Sequence, residues 1–332
     1  MPHRILVIGV GSIGERHTRC FLQTGRCDVS ICEVNSELRE RIAEQYKVSA
    51  CYENLTAALA TPPDAAVICT PANLHIPMAE ELAEHGVSLL IEKPLGTSLT
   101  GVDRLRQLVA QRSLKVSIAY VLRAHPVLSA MREAVRSQRF GKPLEVVVTS
   151  GQHFPFYRPA YKDIYYAHRE SGGGAIQDAL THSVNAVEWI VGPVSRLICD
   201  AAHLSLPGVD VEDTVHLLTR HESVLGSFSL NQHQAPNEST VTIVCETGTV
   251  RFEAHRSRWL SCTQAGDDWT IEKEVPLQRD DIFVNQANAF LDFLEDKVEP
   301  LCTLDEGVQT LKTNLTALDS LEQHRWRDID HG

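Results

Sequence analysis

Short apolar segments alternate with amphipathic stretches along the first third of the chain. The apolar segments lie at 4–9, 28–33, 65–70, 87–91 and 115–119. Between them, apolar positions recur every three or four residues at 12–24, 36–47, 73–85 and 100–112, which predicts helices. Nearly continuous apolar strands joined by helices are typical of a parallel sheet that is covered on both faces.

The pattern changes after a further predicted helix at 126–138. Strand-like segments then follow mostly without helices, at 143–150, 194–203, 211–219, 223–231, 240–246, 249–254, 258–263 and 269–275. They predict a mainly antiparallel open sheet, with a helix at 175–191 over one face. Helices are predicted at 283–296 and 304–323. The fold class is therefore α/β in two domains, 1–122 and 123–332, with the last helices able to pack back on the first domain.

Composition favours a globular protein over a membrane or nucleic-acid-binding one. Hydrophobic residues make up 43% and charged residues 22% of the 332, and no window approaches the roughly 20 apolar residues that cross a bilayer. A strand begins almost at once and leaves no room for a secretion signal, so we expect a cytoplasmic protein. The net charge of −12, without a basic run, argues against a nucleic acid partner.

Cysteines and histidines show no metal-binding or disulfide pattern. The nine cysteines are scattered without a CxxC pair, and none of the fifteen histidines falls in an HxH or HxxxH pair. We therefore expect mostly buried thiols, no disulfide framework and no metal site.

A glycine-rich turn joins the first predicted strand to the first predicted helix. It reads GVGSIG, with Ser12 and Ile13 between the last two glycines. Strand before and helix after is the context in which GxGxxG binds a dinucleotide. Gly9 permits the tight turn, Gly11 lets a pyrophosphate approach the backbone, and Gly14 lets the helix pack closely. The phosphates would then meet the N–H groups of the first helical turn.

Glu33 ends the second predicted strand, 19 residues beyond Gly14. At this position a carboxylate accepts the adenosine ribose hydroxyls and repels a 2′-phosphate, which favours NAD over NADP. Arg39 and Arg41 are close enough in sequence to soften that preference. The alternative interpretation of the motif is a tight turn followed by a solvated glutamate.

Ligands of a parallel sheet bind at the carboxyl ends of its strands. Thr70 and Pro71 end one predicted strand, and Glu92, Lys93 and Pro94 follow the next. Both groups should therefore share a rim with the glycine turn. A solvated lysine at a strand end is the alternative.

The helix predicted at 175–191 carries a candidate acid/base pair. Three glycines at 172–174 precede it, and Asp178 and His182 are spaced i,i+4 on one face. A carboxylate beside an imidazole is a common means of making a base that works at neutral pH. We expect the glycines to let a flat ring approach the backbone. The alternative is a contact that only stabilises the helix.

With these motifs in place, the chain resembles the glucose-fructose oxidoreductase / inositol dehydrogenase / rhizopine catabolism (Gfo/Idh/MocA) family over essentially its whole length. The resemblance rests on GVGSIG, TPANLH at 70–75, EKP at 92–94 and GGGxxxDxxxH at 172–182. It implies an NAD-binding Rossmann domain at 1–122. It also implies a substrate-binding α/β domain at 123–332, whose open sheet forms a homodimer or homotetramer. The implied reaction is hydride transfer between NAD(P) and a sugar, sugar acid or cyclic polyol.

The resemblance also implies roles for single residues. Lys93 would hydrogen-bond the reacting oxygen, His182 would act as acid/base, and Asp178 would assist it. Glu92 would lie near the nicotinamide ribose, and a cis Lys93–Pro94 bond is expected. The residues implied to line the dinucleotide are Thr70, Pro71, Asn73 and His75.

The chain departs from the family pattern on the substrate side. Leu180 stands where the family usually has glycine, and Asn185 where it usually has a second acid. Arg123 resembles an arginine that the family often places near substrate; the alternative is a solvated linker residue. In the aromatic and basic segment at 153–170, Tyr157 and Arg158 are candidate substrate contacts, unless the segment fills a loop or an oligomer contact.

Three functional alternatives remain open from the sequence. The first is a non-enzymatic regulator that senses the cofactor. The second is an enzyme that oxidises its substrate only transiently, during glycoside cleavage or epimerisation. The third is a protein that binds nucleotide for structural reasons alone.

Overall fold

The computed structural model describes residues 2–330. The chain divides into two compact units. The first runs as far as Ala124 and takes in Gln278–Val308. The second comprises His125–Leu277 and the residues from Gln309 onward.

Helices and strands follow the sequence patterns closely. The strands are β1 (His3–Ile8), β2 (Cys27–Cys32), β3 (Ala50–Tyr52), β4 (Ala65–Ile68), β5 (Ser88–Ile91), β6 (Val116–Ile118), β7 (Pro143–Gly151), β8 (Arg196–Ala202), β9 (Thr214–His221), β10 (Val224–Asn231), β11 (Glu238–Cys245), β12 (Gly248–Glu253), β13 (Arg258–Cys262), β14 (Thr270–Glu274) and β15 (Arg327–Asp328). The α-helices are α1 (Ser12–Gln23), α2 (Ser36–Tyr46), α3 (Leu55–Leu59), α4 (His75–Glu84), α5 (Val102–Arg112), α6 (Pro126–Arg136), α7 (Phe154–Tyr157), α8 (Thr181–Val191), α9 (Asp281–Leu294) and α10 (Leu304–Gln323).

The first unit is built on a parallel sheet with the strand order β3-β2-β1-β4-β5-β6. Every residue of β4 is buried, as expected for a strand covered on both faces. This confirms the predicted fold of the N-terminal part. The sequence analysis missed β3 and α3. They are short, and β3 has no fully buried residue, so neither shows a clear apolar pattern.

Helix α9 belongs to the first unit although it lies far along the chain. It packs on α1, where Phe290 meets Phe21 edge to face with ring centroids 6.3 Å apart. Ala287 and Leu291 join the same hydrophobic core as the strands of the parallel sheet. The first unit therefore depends on residues from near the C-terminal end.

The second unit is built on a nine-stranded sheet, in the order β14-β13-β12-β11-β7-β10-β9-β8-β15. All neighbouring strands run antiparallel except β7 and β10, which are parallel. Buried and exposed residues alternate along β9, as in a sheet with one face covered and one face open. Helix α6 packs against β12 and β13, and α8 against β7. The predicted mainly antiparallel sheet is confirmed.

A stretch of short turns leads from β7 to α8. After α7 come three single 3-10 turns, at Tyr161–Asp163, Tyr165–Ala167 and Arg169–Ser171. Phe154, Tyr161 and Tyr166 give this stretch a small hydrophobic core of its own, together with Leu206, Val209 and Val211. The chain then winds as a π-helix at Ile176–Leu180 before α8 begins. The sequence analysis predicted a single helix there, because an apolar period cannot distinguish a π-turn from an α-turn.

Between residues 2 and 330, no helix is long and apolar enough to cross a membrane.

Candidate functional site

Glycines shape the turn between β1 and α1. Gly9 has a φ of +78°, and a Cβ there would lie 3.2 Å from the backbone of Cys69 and Thr70. A Cβ on Gly14 would lie 1.8 Å from the Gly9 carbonyl oxygen, so no side chain fits. Gly11 differs, because a Cβ there would meet nothing within 4 Å. The turn therefore packs tightly against its own sheet and leaves the backbone at Gly11 open to a ligand.

The first turn of α1 fits an anion. Gly11 is the N-cap and provides no side chain to cap the helix, so the first N–H groups are available to a ligand. Ser12 is exposed and Ile13 is half-buried against the sheet. An uncapped helix start beside an open glycine is the arrangement that a pyrophosphate requires.

The Glu33 carboxylate lies against the glycine turn. Its Oε2 accepts the Val10 N–H at 3.0 Å and its Oε1 accepts the Asn35 N–H at 2.9 Å. Each carboxylate oxygen can accept more than one hydrogen bond, so both keep capacity for ribose hydroxyls. Arg39 donates to the Glu33 carbonyl oxygen at 2.7 Å, which holds this guanidinium beside the acid.

His75 joins two of the predicted loops. Its Nε2 lies 2.8 Å from the Thr70 carbonyl oxygen and its Nδ1 lies 2.9 Å from that of Pro94. Burial lowers the pKa of His75, although the two carbonyl oxygens oppose this. Pro71 and Asn73 are exposed on the same loop. The His75 imidazole thus connects two loops inside the protein, while Pro71 and Asn73 are exposed to solvent.

Glu92 and Lys93 follow β5 on the same rim. Glu92 is buried, with 4% of the residue exposed, and its Oε2 accepts the Lys93 N–H at 3.0 Å. The Lys93–Pro94 peptide bond is cis, as the family resemblance implied. The other Glu92 oxygen lies 2.7 Å from Nε2 of His17, a buried histidine on α1. The sequence analysis missed His17, which follows Gly14 by three residues on the buried face of α1.

The first unit brings its predicted residues together at the carboxyl ends of neighbouring strands. Gly9 donates its N–H to Cys32 at the end of β2, and Cys69 donates to Ile8 at the end of β1. Glu92 donates to Ile68 at the end of β4. The turns after four adjacent strands are therefore connected by backbone hydrogen bonds, as the rim argument predicted.

Arg123 has structural partners. It lies in a 3-10 turn at Val121–Ala124 and is buried. Its guanidinium is 2.6 Å from a Glu306 carboxylate oxygen and 3.0 Å from the Leu301 carbonyl oxygen. The alternative of a solvated linker residue is wrong. These contacts satisfy part of the guanidinium within the first unit.

In the second unit, Asp178 is held by a tyrosine. The Tyr165 hydroxyl donates to Asp178 Oδ1 at 2.7 Å. Asp178 is buried in the π-turn, and His182 is half-buried in the first turn of α8. The sequence analysis missed Tyr165 because it singled out Tyr157 from the same aromatic segment. The available signal was the Tyr165–Tyr166 pair just before the glycines.

The glycines at 172–174 serve the packing of the protein itself. A Cβ on Gly173 would lie 2.2 Å from the Tyr166 carbonyl oxygen. Gly174 has a φ of +86°, and a Cβ there would lie 2.5 Å from Glu212 Oε1. The expectation that these two glycines admit a flat ligand ring was wrong, because the missing side chains face the protein interior.

Glu212 secures the start of the helical segment. Its Oε1 accepts the Ile176 N–H at 3.1 Å, and its carbonyl oxygen accepts the Ala175 N–H at 2.9 Å. Arg169 donates to its Oε2 at 2.7 Å. The sequence analysis missed Glu212 because it lies 36 residues from Ile176.

Three further candidates lie in the second unit. Tyr157 is 45% exposed, and its ring meets the neighbouring Phe156 ring edge to face. Arg158 is exposed, with its guanidinium 5.6 Å from the centroid of the Phe154 ring. Asn185 is buried and donates to Thr310 Oγ1 at 3.0 Å, facing α10.

All nine cysteines are free thiols. Within the described range, no group of three or more histidine, cysteine or acidic side chains could hold a metal ion.

A turn packed tightly at Gly9 and Gly14 and open at Gly11, an uncapped helix start and an acid at the end of β2 define a dinucleotide-binding Rossmann domain. Comparison with protein families agrees with this class. Residues 3–120 match the family described as "Oxidoreductase family, NAD-binding Rossmann fold", and residues 128–251 match the "GFO/IDH/MocA C-terminal domain". The chain belongs to the Gfo/Idh/MocA family of oxidoreductases, and its first unit carries the NAD-binding Rossmann fold of that family.

Individual relatives cover nearly the whole chain. Inositol 2-dehydrogenase of Rhizobium meliloti (strain 1021) is 27% identical over 339 residues, which is 98% of both chains. Rhizopine catabolism protein MocA of Rhizobium meliloti is 24% identical over 77% of this chain and 79% of its own length. Both are similar in sequence to this chain over most of their length.

Solved structures show the same fold at lower identity. Levoglucosan dehydrogenase in complex with NADH superposes with a TM-score of 0.88 at 18% identity, covering 99% of this chain and 100% of its own. The WlbA dehydrogenase from Bordetella pertussis, in complex with NADH and UDP-GlcNAcA, gives a TM-score of 0.84 at 23% identity and covers 99% of both chains.

Proposed function

We propose that this protein is an NAD-dependent dehydrogenase that transfers hydride between nicotinamide and a hydroxyl carbon of a sugar, sugar acid or cyclic polyol. The observation that carries the proposal is the connected rim of the first unit, where Gly11, Glu33 and Lys93 follow β1, β2 and β5 of one parallel sheet. The second unit supplies an acid/base candidate in His182, near an Asp178 held by Tyr165. Relatives named for inositol, D-xylose and UDP-N-acetylglucosamine support polyhydroxylated substrates.

The cofactor would be held by backbone and carboxylate groups of the first unit. The N–H groups at Gly11, Ser12 and Ile13 suit the pyrophosphate. The Glu33 carboxylate suits the adenosine ribose hydroxyls and disfavours a 2′-phosphate, so NAD is preferred over NADP. Thr70, Pro71 and Asn73 would line the dinucleotide from the neighbouring loop. His75 holds that loop in place through the Thr70 carbonyl oxygen.

Nicotinamide, when bound, supplies the hydride acceptor. In the proposed reaction the His182 imidazole takes the proton of the substrate hydroxyl. Asp178, oriented by the Tyr165 hydroxyl, favours the protonated imidazole through its charge. The Lys93 ammonium stabilises the negative charge that develops on the substrate oxygen. Proton and hydride leave the same C–H and O–H pair, so a carbonyl product results.

The site assignments include residues on the substrate side. We assign catalysis to Lys93, Asp178 and His182, and add Tyr165 as the residue that orients Asp178. The candidates for substrate contacts are Arg123, Tyr157, Arg158 and Asn185.

We further propose a cytoplasmic homodimer or homotetramer that assembles through the open face of the nine-stranded sheet. Two large apolar side chains of that face, Leu218 on β9 and Leu225 on β10, are 51% and 46% exposed. Their strands are hydrogen-bonded neighbours, so the two side chains share one surface. Apolar residues exposed together on a sheet face are typical of a subunit interface.

The test is an assay of purified protein with NAD and a panel of polyols, sugars and sugar acids. We expect NADH to form with at least one of them. Lys93→Met and His182→Ala should each bind NADH normally and lose about 10²- to 10⁴-fold in turnover. Wild-type turnover in both variants would contradict the residue assignments. Product without net NADH would replace the dehydrogenase with a transient redox cycle, and inactivity on the whole panel would contradict the proposal.

A further inference from the structure

A buried hydrogen bond connects α1 to the loop that carries Lys93. His17 Nε2 lies 2.7 Å from Glu92 Oε1, and the two side chains are 1% and 6% exposed. The other Glu92 oxygen accepts the backbone N–H of Lys93 at 3.0 Å. One carboxylate therefore joins a side chain of the helix at the glycine turn to the peptide group of the proposed catalytic lysine.

Burial makes this carboxylate dependent on its donors. An ionised carboxylate loses its water contacts when buried, and it needs hydrogen bonds from the protein to compensate. His17 supplies one such bond from a ring that is itself fixed: the imidazole meets the Phe283 ring edge to face, with centroids 5.7 Å apart. With a donor on each side, the Glu92 carboxylate is held in a single orientation.

The second ring nitrogen of His17 bears on why a histidine stands at this position. His17 Nδ1 is buried and lacks a hydrogen-bond partner within residues 2–330. A buried polar atom left unsatisfied costs about 1–3 kcal/mol. An apolar side chain at position 17 would avoid that cost. The bond from Nε2 to Glu92 is therefore the feature that an imidazole provides here and a leucine would not.

We propose that His17 is a positioning residue for Lys93. It fixes the Glu92 carboxylate, the carboxylate fixes the Lys93 peptide, and the peptide sets the direction in which the lysine side chain leaves the rim. Because α1 also begins at the glycine turn, the same helix locates both the pyrophosphate site and the lysine. This inference rests on the proposed function, in which Lys93 acts on the substrate oxygen.

Substituting His17 by residues of different reach tests the proposal. The side-chain amide nitrogen of glutamine can take the place of histidine Nε2. The asparagine side chain is shorter, so its amide nitrogen does not reach Glu92. We expect His17→Asn and His17→Leu to lower kcat about 10- to 100-fold, because small misplacements of catalytic groups cost that much. Their KM for NAD and their NADH affinity should stay near wild type, and His17→Gln should restore most of the turnover.

A second readout does not depend on turnover. Acetic anhydride labelling, followed by peptide mass spectrometry, measures how the Lys93 amine reacts relative to that of the exposed Lys47. In His17→Asn we expect the relative labelling of Lys93 to rise severalfold, and in His17→Gln we expect the wild-type ratio. Unchanged labelling together with wild-type kcat in His17→Asn would overturn the inference. If His17→Leu does not fold, the difference in kcat and Lys93 labelling between His17→Asn and His17→Gln still tests the proposal.

The control is Cys20→Ala, which removes a buried side chain one turn further along α1, in the same cluster as Phe283. Cys20→Ala should lower the melting temperature without changing kcat or Lys93 labelling. Equal losses of kcat in Cys20→Ala and His17→Asn would mean that His17 only supports the helix. That result would overturn the proposal. Lys93→Met separates the two hypotheses. If that variant keeps full turnover, the proposed function fails, and the labelling ratio still shows whether His17 positions the lysine.

Discussion

The Tyr165 hydroxyl connects the short turns at 161–171 to Asp178, which belongs to the proposed acid/base pair. Tyr165 donates to Asp178 Oδ1 at 2.7 Å, and Asp178 is buried. A hydrogen bond to a charged group contributes about 1.5–3 kcal/mol when it is made in a buried setting. At the scale of single residues, Tyr165 is the side chain of this segment that we propose orients Asp178.

We predict that Tyr165→Phe lowers kcat by about tenfold or more, because Asp178 loses its orientation. NADH affinity, measured by fluorescence titration, should not change. Tyr161→Phe is a matched control. That tyrosine lies in the same segment, is buried, and donates to the Pro207 carbonyl oxygen at 2.6 Å. An equal loss of kcat in both variants would mean that Tyr165 only supports the fold of the segment.

Glu33 decides the cofactor preference in our proposal. Removing the carboxylate in Glu33→Ala should reduce the ratio of kcat/KM for NAD over NADP by about tenfold, which corresponds to about 1.4 kcal/mol. The nearby Arg39 guanidinium, already held at the Glu33 carbonyl oxygen, would then be free of the competing negative charge. Steady-state kinetics with both cofactors provide the measurement. An unchanged ratio would refute the assigned role of Glu33.

At the scale of elements, the helical segment at 176–191 starts under tight steric control. Gly174 has a positive φ, and a Cβ at this position would lie 2.5 Å from the Glu212 carboxylate. Glu212 in turn receives the first N–H groups of the segment. The position of Asp178 therefore depends on a glycine and an acid that lie outside the helix.

Gly174→Ala should lower the free energy of unfolding by more than Gly266→Ala. Gly266 also has a positive φ, of +96°, but a Cβ there would meet nothing within 4 Å. The Gly266 variant thus measures backbone strain alone, which costs about 1–3 kcal/mol. Urea unfolding of both variants gives the difference. Equal destabilisation would show that Glu212 moves aside without cost.

Asp213 stabilises the loop at 203–206 in a pH-dependent way. Burial raises the pKa of its carboxyl, but hydrogen bonds from the Leu206, Ser205 and Leu204 N–H groups and from Thr214 outweigh burial and lower it below 3.8. A lowered folded-state pKa means that the contribution is present above the unfolded value and is lost as pH falls through the folded value.

Asp213→Asn should therefore be less stable than wild type at neutral pH, and the difference should shrink as pH falls below about 4. Urea unfolding at a series of pH values down to about pH 3 measures both curves. A difference that stays constant across the series would contradict the assignment of this carboxylate as the source.

Sequence patterns predicted the regular elements well and the site in part. The strands of the parallel sheet and the glycine turn follow from local periodicity, so most boundaries agree within a few residues. The π-turn at Ile176–Leu180 has no separate periodic signal. His17 and Glu212 were missed because their partners, Glu92 and Ile176, lie 75 and 36 residues away in sequence. Pairings of that separation depend on the tertiary fold.

At the scale of the whole molecule, family membership agrees with the sequence prediction. The division into units differs from the predicted bounds of 1–122 and 123–332, because Gln278–Val308 belongs to the first unit. In our proposal, Asn185, where this chain departs from the family pattern, is one of the side chains that set the substrate preference. The open sheet face is the feature of the second unit that bears on assembly.

We predict that Leu218→Lys combined with Leu225→Lys lowers the molar mass measured by size-exclusion chromatography with light scattering. Charges placed on the apolar face would have to be buried in the assembled protein, which is unfavourable. Leu204→Lys is the control, because Leu204 is 65% exposed and lies outside the strands. An assembled double variant would exclude this face as the interface, and a monomeric wild type would contradict the oligomer itself.

The packing of α9 on α1 has a consequence for synthesis. When the ribosome has completed the sixth strand of the parallel sheet, the helix that covers Phe21 has not yet been translated. During synthesis, an apolar surface of the Rossmann sheet therefore stays uncovered until the whole antiparallel sheet has been made. An early nonsense codon would release a fragment that holds every glycine of the dinucleotide turn and still exposes core residues to chaperones and proteases.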